Sequence, residues 1–227
     1  MTNNVLAIDG PAGSGKSSVS RNVASTLGWL MLDTGAMYRA ITWAVLEAGA
    51  DPQDSTRVGA IASESVIEID TEPELSSVYV NGVNVTTDIR TAEVTSAVSA
   101  VSAVAQVRER LVELQRETVR KSQRGVVIEG RDIGTVVLPE AQLKIFLTAD
   151  PRVRAVRRST EMGHNISPEE LESMQKVIEE RDYKDSSREF SPLRAASDSV
   201  VIDTSNLTQD QVVQEICTLA RQKYSLA

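Results

Sequence analysis

The chain has 227 residues, 41% hydrophobic and 25% charged, with a formal net charge of −8 and one cysteine. That length is expected to form one main domain with room for an insertion, and the acidic balance argues against a general nucleic-acid binder, which carries a basic surplus. A lone cysteine excludes an intramolecular disulfide. No apolar run reaches membrane-spanning length and no basic leader precedes an apolar segment, so the expected setting is a reducing cytoplasm with no membrane partner.

The first apolar run of strand length is Val5-Leu6-Ala7-Ile8. It leads into Gly10-Pro11-Ala12-Gly13-Ser14-Gly15-Lys16-Ser17, which fits the phosphate-binding pattern G-x-x-x-x-G-K-[ST]. Behind the loop Val19, Val23, Ala24 and Leu27 recur at helical spacing, and Gly28 stands where a helix-ending glycine would. Strand, glycine loop and helix form the context that this motif requires. The glycines let backbone N–H groups turn inward around a polyphosphate, and the helix N-terminus adds its positive end. Lys16 can then reach the β- and γ-phosphates, and the Ser17 hydroxyl can take a Mg²⁺ position. A nucleoside triphosphate is the expected ligand.

Leu30-Met31-Leu32 reads as a short buried strand ending at Asp33-Thr34-Gly35. A helix is predicted through Met37, Ile41, Val45 and Leu46, stopped by Gly49, with a break at Asp51-Pro52. Between about 64 and 88 the texture changes to alternation, in Val66-Ile67-Glu68-Ile69-Asp70 and again from Val78 to Val85. Asn81-Gly82 in the second run predicts a two-residue type I′ hairpin. A small antiparallel unit inserted into the βα series fits better than two edge strands of the main sheet, because the hairpin is local. From about 91 to 123 the pattern is helical, with a joint expected near Ala105-Gln106.

Val126-Val127-Ile128 is a continuous apolar strand ending at Glu129-Gly130-Arg131-Asp132, and residues 143–147 form another. Asp150-Pro151 opens a helix, Asp as N-cap and Pro at the first position. This helix carries Arg152, Arg154, Arg157 and Arg158, and Gly163-His164-Asn165 is expected to end it. Ser167-Pro168-Glu169-Glu170 is a capping box that starts a further helix running towards Arg181. The last strand is Val200-Val201-Ile202, and Thr208-x-x-Gln211 caps a final helix whose apolar face includes Cys217. Apolar strands alternating with helices predict an α/β fold of the P-loop NTPase type. It has a parallel five-stranded sheet flanked by helices, a small antiparallel β insertion and a helical lid.

Ligands of such sheets sit at the carboxyl ends of the strands. The polar groups there are Asp33-Thr34-Gly35 with Arg39, and Glu129 with Arg131-Asp132. No N-K-x-D or L-S-G-G-Q stretch is present, which disfavours a GTPase switch and a transporter ATPase. An arginine-rich scaffold that can hold two phosphorylated ligands head to head is the electrostatic problem of a nucleotide kinase.

The runs Ile8 to Ser17, Leu32-Asp33-Thr34-Gly35-Ala36-Met37-Tyr38-Arg39, Gly130-Arg131-Asp132-Ile133-Gly134-Thr135-Val136-Val137, Lys144 to Leu147 and Glu180 to Arg188 resemble a bacterial cytidylate kinase, in order and over nearly the whole chain. The resemblance implies phosphoryl transfer from ATP to CMP or dCMP with Mg²⁺. It places ATP on Gly10, Pro11, Ala12, Gly13, Ser14, Gly15, Lys16, Ser17 and Ser18, and the metal on Ser17 and, through water, Glu129. Arg39 and Arg131 should hold the CMP phosphate, with Tyr38 close by. Thr34, Arg181 and Asp185 should lie near the sugar, and Ser99, Arg108, Asp132 and Arg188 should read cytosine. Lys16, Arg131 and the lid arginines Arg154, Arg157 and Arg158 should carry catalysis. His164 belongs to a lid turn rather than to acid–base chemistry. The implied organisation is one kinase domain over 1–227. Its core spans 1–60, 100–150 and 195–227, the CMP-binding insertion lies near 64–88 and the lid near 152–166. A kinase of another small acceptor, dTMP or shikimate, and a non-catalytic ATP-sensing module are the alternatives. No heptad seam is seen, so a monomer is expected.

Overall fold

The computed structural model describes residues 4–161, 167–188 and 191–226. Its centre is a five-stranded parallel sheet made of β1 (Val5–Asp9), β2 (Leu30–Asp33), β6 (Val126–Gly130), β7 (Leu143–Thr148) and β8 (Val200–Asp203), in the order β2-β6-β1-β7-β8. These are the five expected strands, each longer by one or two residues at its polar carboxyl end. Every residue of β1 is buried, as befits a strand with neighbours on both edges and helices on both faces. In register, Ile8 lies beside Glu129 of β6 and Ile145 of β7. From β1 the chain passes over the place of β6 to form β2, returns to β6, and then crosses to β7 on the other side. The loop after β1 therefore stands where the strand order reverses, the usual place for a ligand in an open α/β sheet.

On one face α1 (Lys16–Leu27) and α8 (Gln209–Tyr224) cover the sheet, with Val19, Val23, Ile216 and Cys217 buried against Leu6, Ile8 and Ile145. Gly28 ends α1 at φ 65°, a left-handed turn that glycine enters without strain. The opposite face is covered by α2 (Thr34–Glu47), α3 (Ser55–Glu64), α4 (Ala92–Val101) and α5 (Ala105–Lys121). Against α2 packs a second sheet of β3 (Ile67–Ile69), β4 (Val78–Val80) and β5 (Val83–Asn84), antiparallel throughout. Its hairpin turns at Asn81 (φ 50°) and Gly82 (φ 79°), the two positive values a type I′ turn needs. Finally α6 (Pro151–Glu161) and α7 (Pro168–Ser186) pair with each other beyond β7. The capping boxes of α7 and α8 are formed as the sequence predicts.

Four features depart from the sequence reading. The stretch after Asp51-Pro52 contains α3, capped by the Asp54 side chain on Arg57 N at 3.0 Å. Gly59 and the Ser and Thr residues dilute its helical pattern. At Gly59 the helix lies close to α5, where a Cβ would stand 1.7 Å from the Gln106 side-chain oxygen and would require that side chain to turn aside. The helical joint lies at 102–104, just before the expected place, and α7 runs five residues beyond Arg181. A π-helical turn, Ile133–Val137, follows β6. Of the expected lid, 162–166 including His164 lie outside the described residues.

Candidate active site

β1 delivers the chain into the glycine loop with little room to spare. A Cβ on Gly10, at φ 152°, would lie 2.1 Å from the Leu147 carbonyl oxygen of β7, so the loop can leave the sheet here only as glycine. Gly15, at φ 85°, starts α1 without a side-chain cap. The first N–H groups of that helix are thus left for a ligand. Lys16 Nζ donates to the Pro11 carbonyl at 2.7 Å, and the buried Ser14 hydroxyl donates to the same oxygen at 3.0 Å.

Beyond the loop opens a cleft of about 490 Å³. Its lining carries nine cations, Lys16, Arg21, Arg39, Arg90, Arg108, Arg131, Arg158, Arg181 and Arg188, against four carboxylates, Asp33, Glu129, Asp132 and Asp185. This surplus sits inside a chain of net charge −8. Enclosure and the neighbouring Arg131 pull the Lys16 ammonium well below its ordinary range, while burial and the nearby Asp33 push Glu129 up. Glu129 Oε1 is buried without a hydrogen-bond partner, and the residue's carbonyl accepts from Thr34 Oγ1 at 2.7 Å.

Facing the glycine loop, Arg131 donates from Nη1 to the Gly10 carbonyl at 3.1 Å, and its Nε lies 2.8 Å from Asp185 Oδ2. Arg39 donates from Nη1 to the Ile89 carbonyl (3.1 Å) and to Thr95 Oγ1 (2.9 Å), which ties α2 to the segment returning from the small sheet. The Nε of Arg181 is buried with no partner, and burial together with Arg131 draws its guanidinium down to about 10. Deeper still, Asp132 and Arg108 form a buried ion pair, and Arg108 Nη1 reaches the Ser102 carbonyl at 3.2 Å. The Arg108 guanidinium lies 5.4 Å from the centre of the Tyr38 ring. The Tyr38 hydroxyl is buried without a partner and pushed up to about 12 by that burial. Arg188 bridges Ser102 Oγ at 3.1 Å and Asp185 Oδ1 at 2.5 Å.

A cation-lined phosphate loop faces a polar floor of alternating arginine and carboxylate. The family model described as Cytidylate kinase matches residues 6–222. This chain belongs to the cytidylate kinase family. It is 50% identical over 219 residues to a cytidylate kinase of Streptomyces avermitilis, a match covering 96% of this chain and 93% of that one. It is 48% identical over 223 residues to the cytidylate kinase of Mycobacterium avium, covering 98% and 97%. Among solved structures, a gluconokinase from Sinorhizobium meliloti aligns at a TM-score of 0.52 and 15% identity, over 99% of this chain and 96% of that one, a likeness of fold.

In this member of the cytidylate kinase family the cleft brings together Ala12, Gly13, Gly15, Lys16, Ser17, Ser18, Thr34, Tyr38, Arg39, Arg108, Glu129, Arg131, Asp132, Arg158, Arg181, Asp185 and Arg188, all expected from the sequence. Gly10, Pro11 and Ser14 shape the loop from behind. Three of the expected residues lie off the cleft wall. Ser99 does not line the cleft. Val98 and Ser102, four residues apart on one face at the end of α4, do so, and Ser99 is turned a helical step away. Arg154 is buried beneath the phosphate loop instead of lining the cleft. Arg157 points to the end of β8, donating to Thr204 Oγ1 at 2.9 Å and to the Thr204 carbonyl at 2.6 Å. Of the three lid arginines only Arg158 is on the cleft wall.

Arg21, Arg90 and Ser102 line the cleft without having been singled out, and Asp33 lines it as one of the polar groups expected at the strand ends. For Arg21 a signal existed, since it stands one helical turn after Ser17. Arg90 closes a 3-10 turn, Asp88–Arg90, whose position no local pattern reveals.

Proposed function

We propose that this enzyme phosphorylates CMP and dCMP with ATP, the γ-phosphoryl group passing directly to an oxygen of the acceptor phosphate. The observation that carries the reading is the buried Arg108–Asp132 pair lining the same cleft as the phosphate loop. Asp132 offers acceptor oxygens to the N4 amino group of cytosine, while Arg108 and Arg188 offer donors for O2 and N3. Uracil presents O4 in place of that amino group, so a carboxylate would face an acceptor, a mismatch that buried polar sites reject strongly. Arg39 and Arg131 would hold the acceptor phosphate, with Arg181 and Asp185 near the sugar. Lys16 and Arg158 stand on the donor side. Charge neutralisation and alignment are the main catalytic means open to such a site.

The residues present fit a Mg²⁺ ion. Ser17 and the unpartnered Glu129 Oε1 are oxygen donors at the mouth of the loop. Among the described residues no cluster of three or more His, Cys, Asp or Glu could hold a metal by itself. That donor set suits Mg²⁺, which is commonly held by one or two protein oxygens together with substrate phosphates. When bound, the ion would neutralise charge on the phosphates. No helix among the described residues is long and apolar enough to cross a membrane.

The test is ADP release from Mg·ATP with CMP, dCMP, UMP, AMP, GMP, dTMP and shikimate supplied separately. Turnover confined to CMP and dCMP is expected. Turnover with another acceptor would void the cytosine roles of Asp132 and Arg188. No turnover with any, by folded protein that binds ATP, would favour a sensing module.

A further inference from the structure

Arg154 is 5% exposed, and its guanidinium touches three separate elements. Nε donates to the Ala149 carbonyl at the end of β7 at 3.0 Å. Nη1 donates to the Ala12 carbonyl of the phosphate loop, also at 3.0 Å, and pairs with Asp182 Oδ2 of α7. The loop lies directly on this helix, since a Cβ at Gly13 would stand 3.1 Å from Arg154 Cβ. No peptide bond among the described residues is cis, so the Ala12 carbonyl and the Gly13 N–H point in opposite directions. A carbonyl held outward by Arg154 therefore aims the Gly13 N–H inward, towards the cleft that Gly13 lines. The charge-assisted bond also polarises that peptide and strengthens its N–H as a donor.

Asp182 belongs to the helix that brings Arg181 and Asp185 into the acceptor side. Its Oδ1 is buried with no partner, so the pair with Arg154 is the contact that compensates this carboxylate. Resting on the kinase reading above, we propose that Arg154 and Asp182 form a positioning pair that fixes the phosphate loop relative to α7. The pair aligns donor and acceptor without touching either. Its location differs from that of a phosphate-binding lid arginine, and the two roles predict opposite behaviour of Asp182. A phosphate ligand would be freed by loss of Asp182, whereas a latch would be broken.

Four proteins decide it: the wild type, Arg154→Lys, Asp182→Asn and the double variant. ATP affinity is measured by calorimetry without acceptor, turnover by ADP release with CMP, and folding by thermal unfolding followed by circular dichroism. Each single change is expected to weaken ATP roughly tenfold. Each should also lower kcat on the order of 10²-fold, the effect of a misplacement near 1 Å. The double variant should be no worse than the poorer single one, because both break one unit. Asp182→Glu, which keeps the carboxylate, should recover part of the loss and stands in if the Asn variant does not fold. Losses that multiply in the double variant, or unchanged or tighter ATP binding by Asp182→Asn, would overturn the pair. A wild type that binds ATP but phosphorylates nothing would defeat the kinase reading, while its ATP affinities would still judge the latch. A wild type that binds no ATP would defeat both.

Discussion

Asp9, the last residue of β1, offers a prediction with a definite sign. It is 5% exposed and accepts two backbone bonds at 2.8 Å, Ile133 N on Oδ1 and Gly134 N on Oδ2, which clamp the π-helical turn just after Arg131-Asp132. Burial pushes its carboxyl up from 3.8 to about 6, against the opposing pull of those two bonds. Between these values the folded protein keeps a proton that the unfolded chain has lost. Stability from this group therefore falls as pH rises from about 4 to about 6 and is level above that. At 1.36 kcal/mol per pH unit, keeping the ionised carboxylate in the fold costs about 3 kcal/mol at neutral pH. Asp9→Asn removes the titration. Its amide retains an acceptor for one N–H but turns a donor towards the other, at about 1–3 kcal/mol. The variant should be the less stable protein near pH 4, and the gap should close or reverse by about 3 kcal/mol at pH 7. Urea unfolding of both proteins at half-unit steps from pH 4 to 7.5 measures this. A gap independent of pH, or one that widens against the variant as pH rises, would refute the reasoning.

Further outcomes are expected at the site itself. Arg131→Ala should lower kcat for CMP by roughly 10³–10⁵-fold, the range for a transition-state arginine, with the circular dichroism spectrum retained. Turnover within tenfold of wild type would remove Arg131 from the chemistry. Asp132→Asn offers a donor as well as an acceptor where uracil has O4. The ratio of kcat/KM for CMP over UMP should fall by roughly 10–100-fold, and an unchanged ratio would move base reading elsewhere. Gly10→Ala pushes a methyl into the Leu147 carbonyl. Loss of ATP binding by calorimetry and a lowered midpoint of unfolding are expected, and normal ATP affinity would contradict the close approach.

Much of this arrangement was legible because its causes are local. Apolar runs at 5–8 and 126–128 are buried on both faces, Asn81-Gly82 supplies a two-residue turn, and Ser167 and Thr208 cap by hydrogen bonds three residues long. Those signals need no knowledge of neighbours. Where the tertiary environment decides, the sequence says less. Arg154 and Arg158 share a helix face, yet one meets the underside of the phosphate loop and the other the cleft, a distinction set by where the Ala12 and Ala149 carbonyls lie. Ser102 lines the cleft and Ser99 does not, a choice between neighbouring residues that depends on how α4 is turned against the cleft. Asp9 carried no mark of its role, since its partners are 124 and 125 residues away.

The charge distribution has a kinetic corollary. Gathering nine cations in one opening leaves the rest of this anionic molecule more acidic than its net −8 suggests. A polyphosphate drifting past is repelled by most of the exterior and drawn only at the mouth, where low-dielectric walls concentrate the field. Encounter is thereby steered before any specific contact forms, and added salt, which shortens the reach of that field, should slow capture more than it slows release.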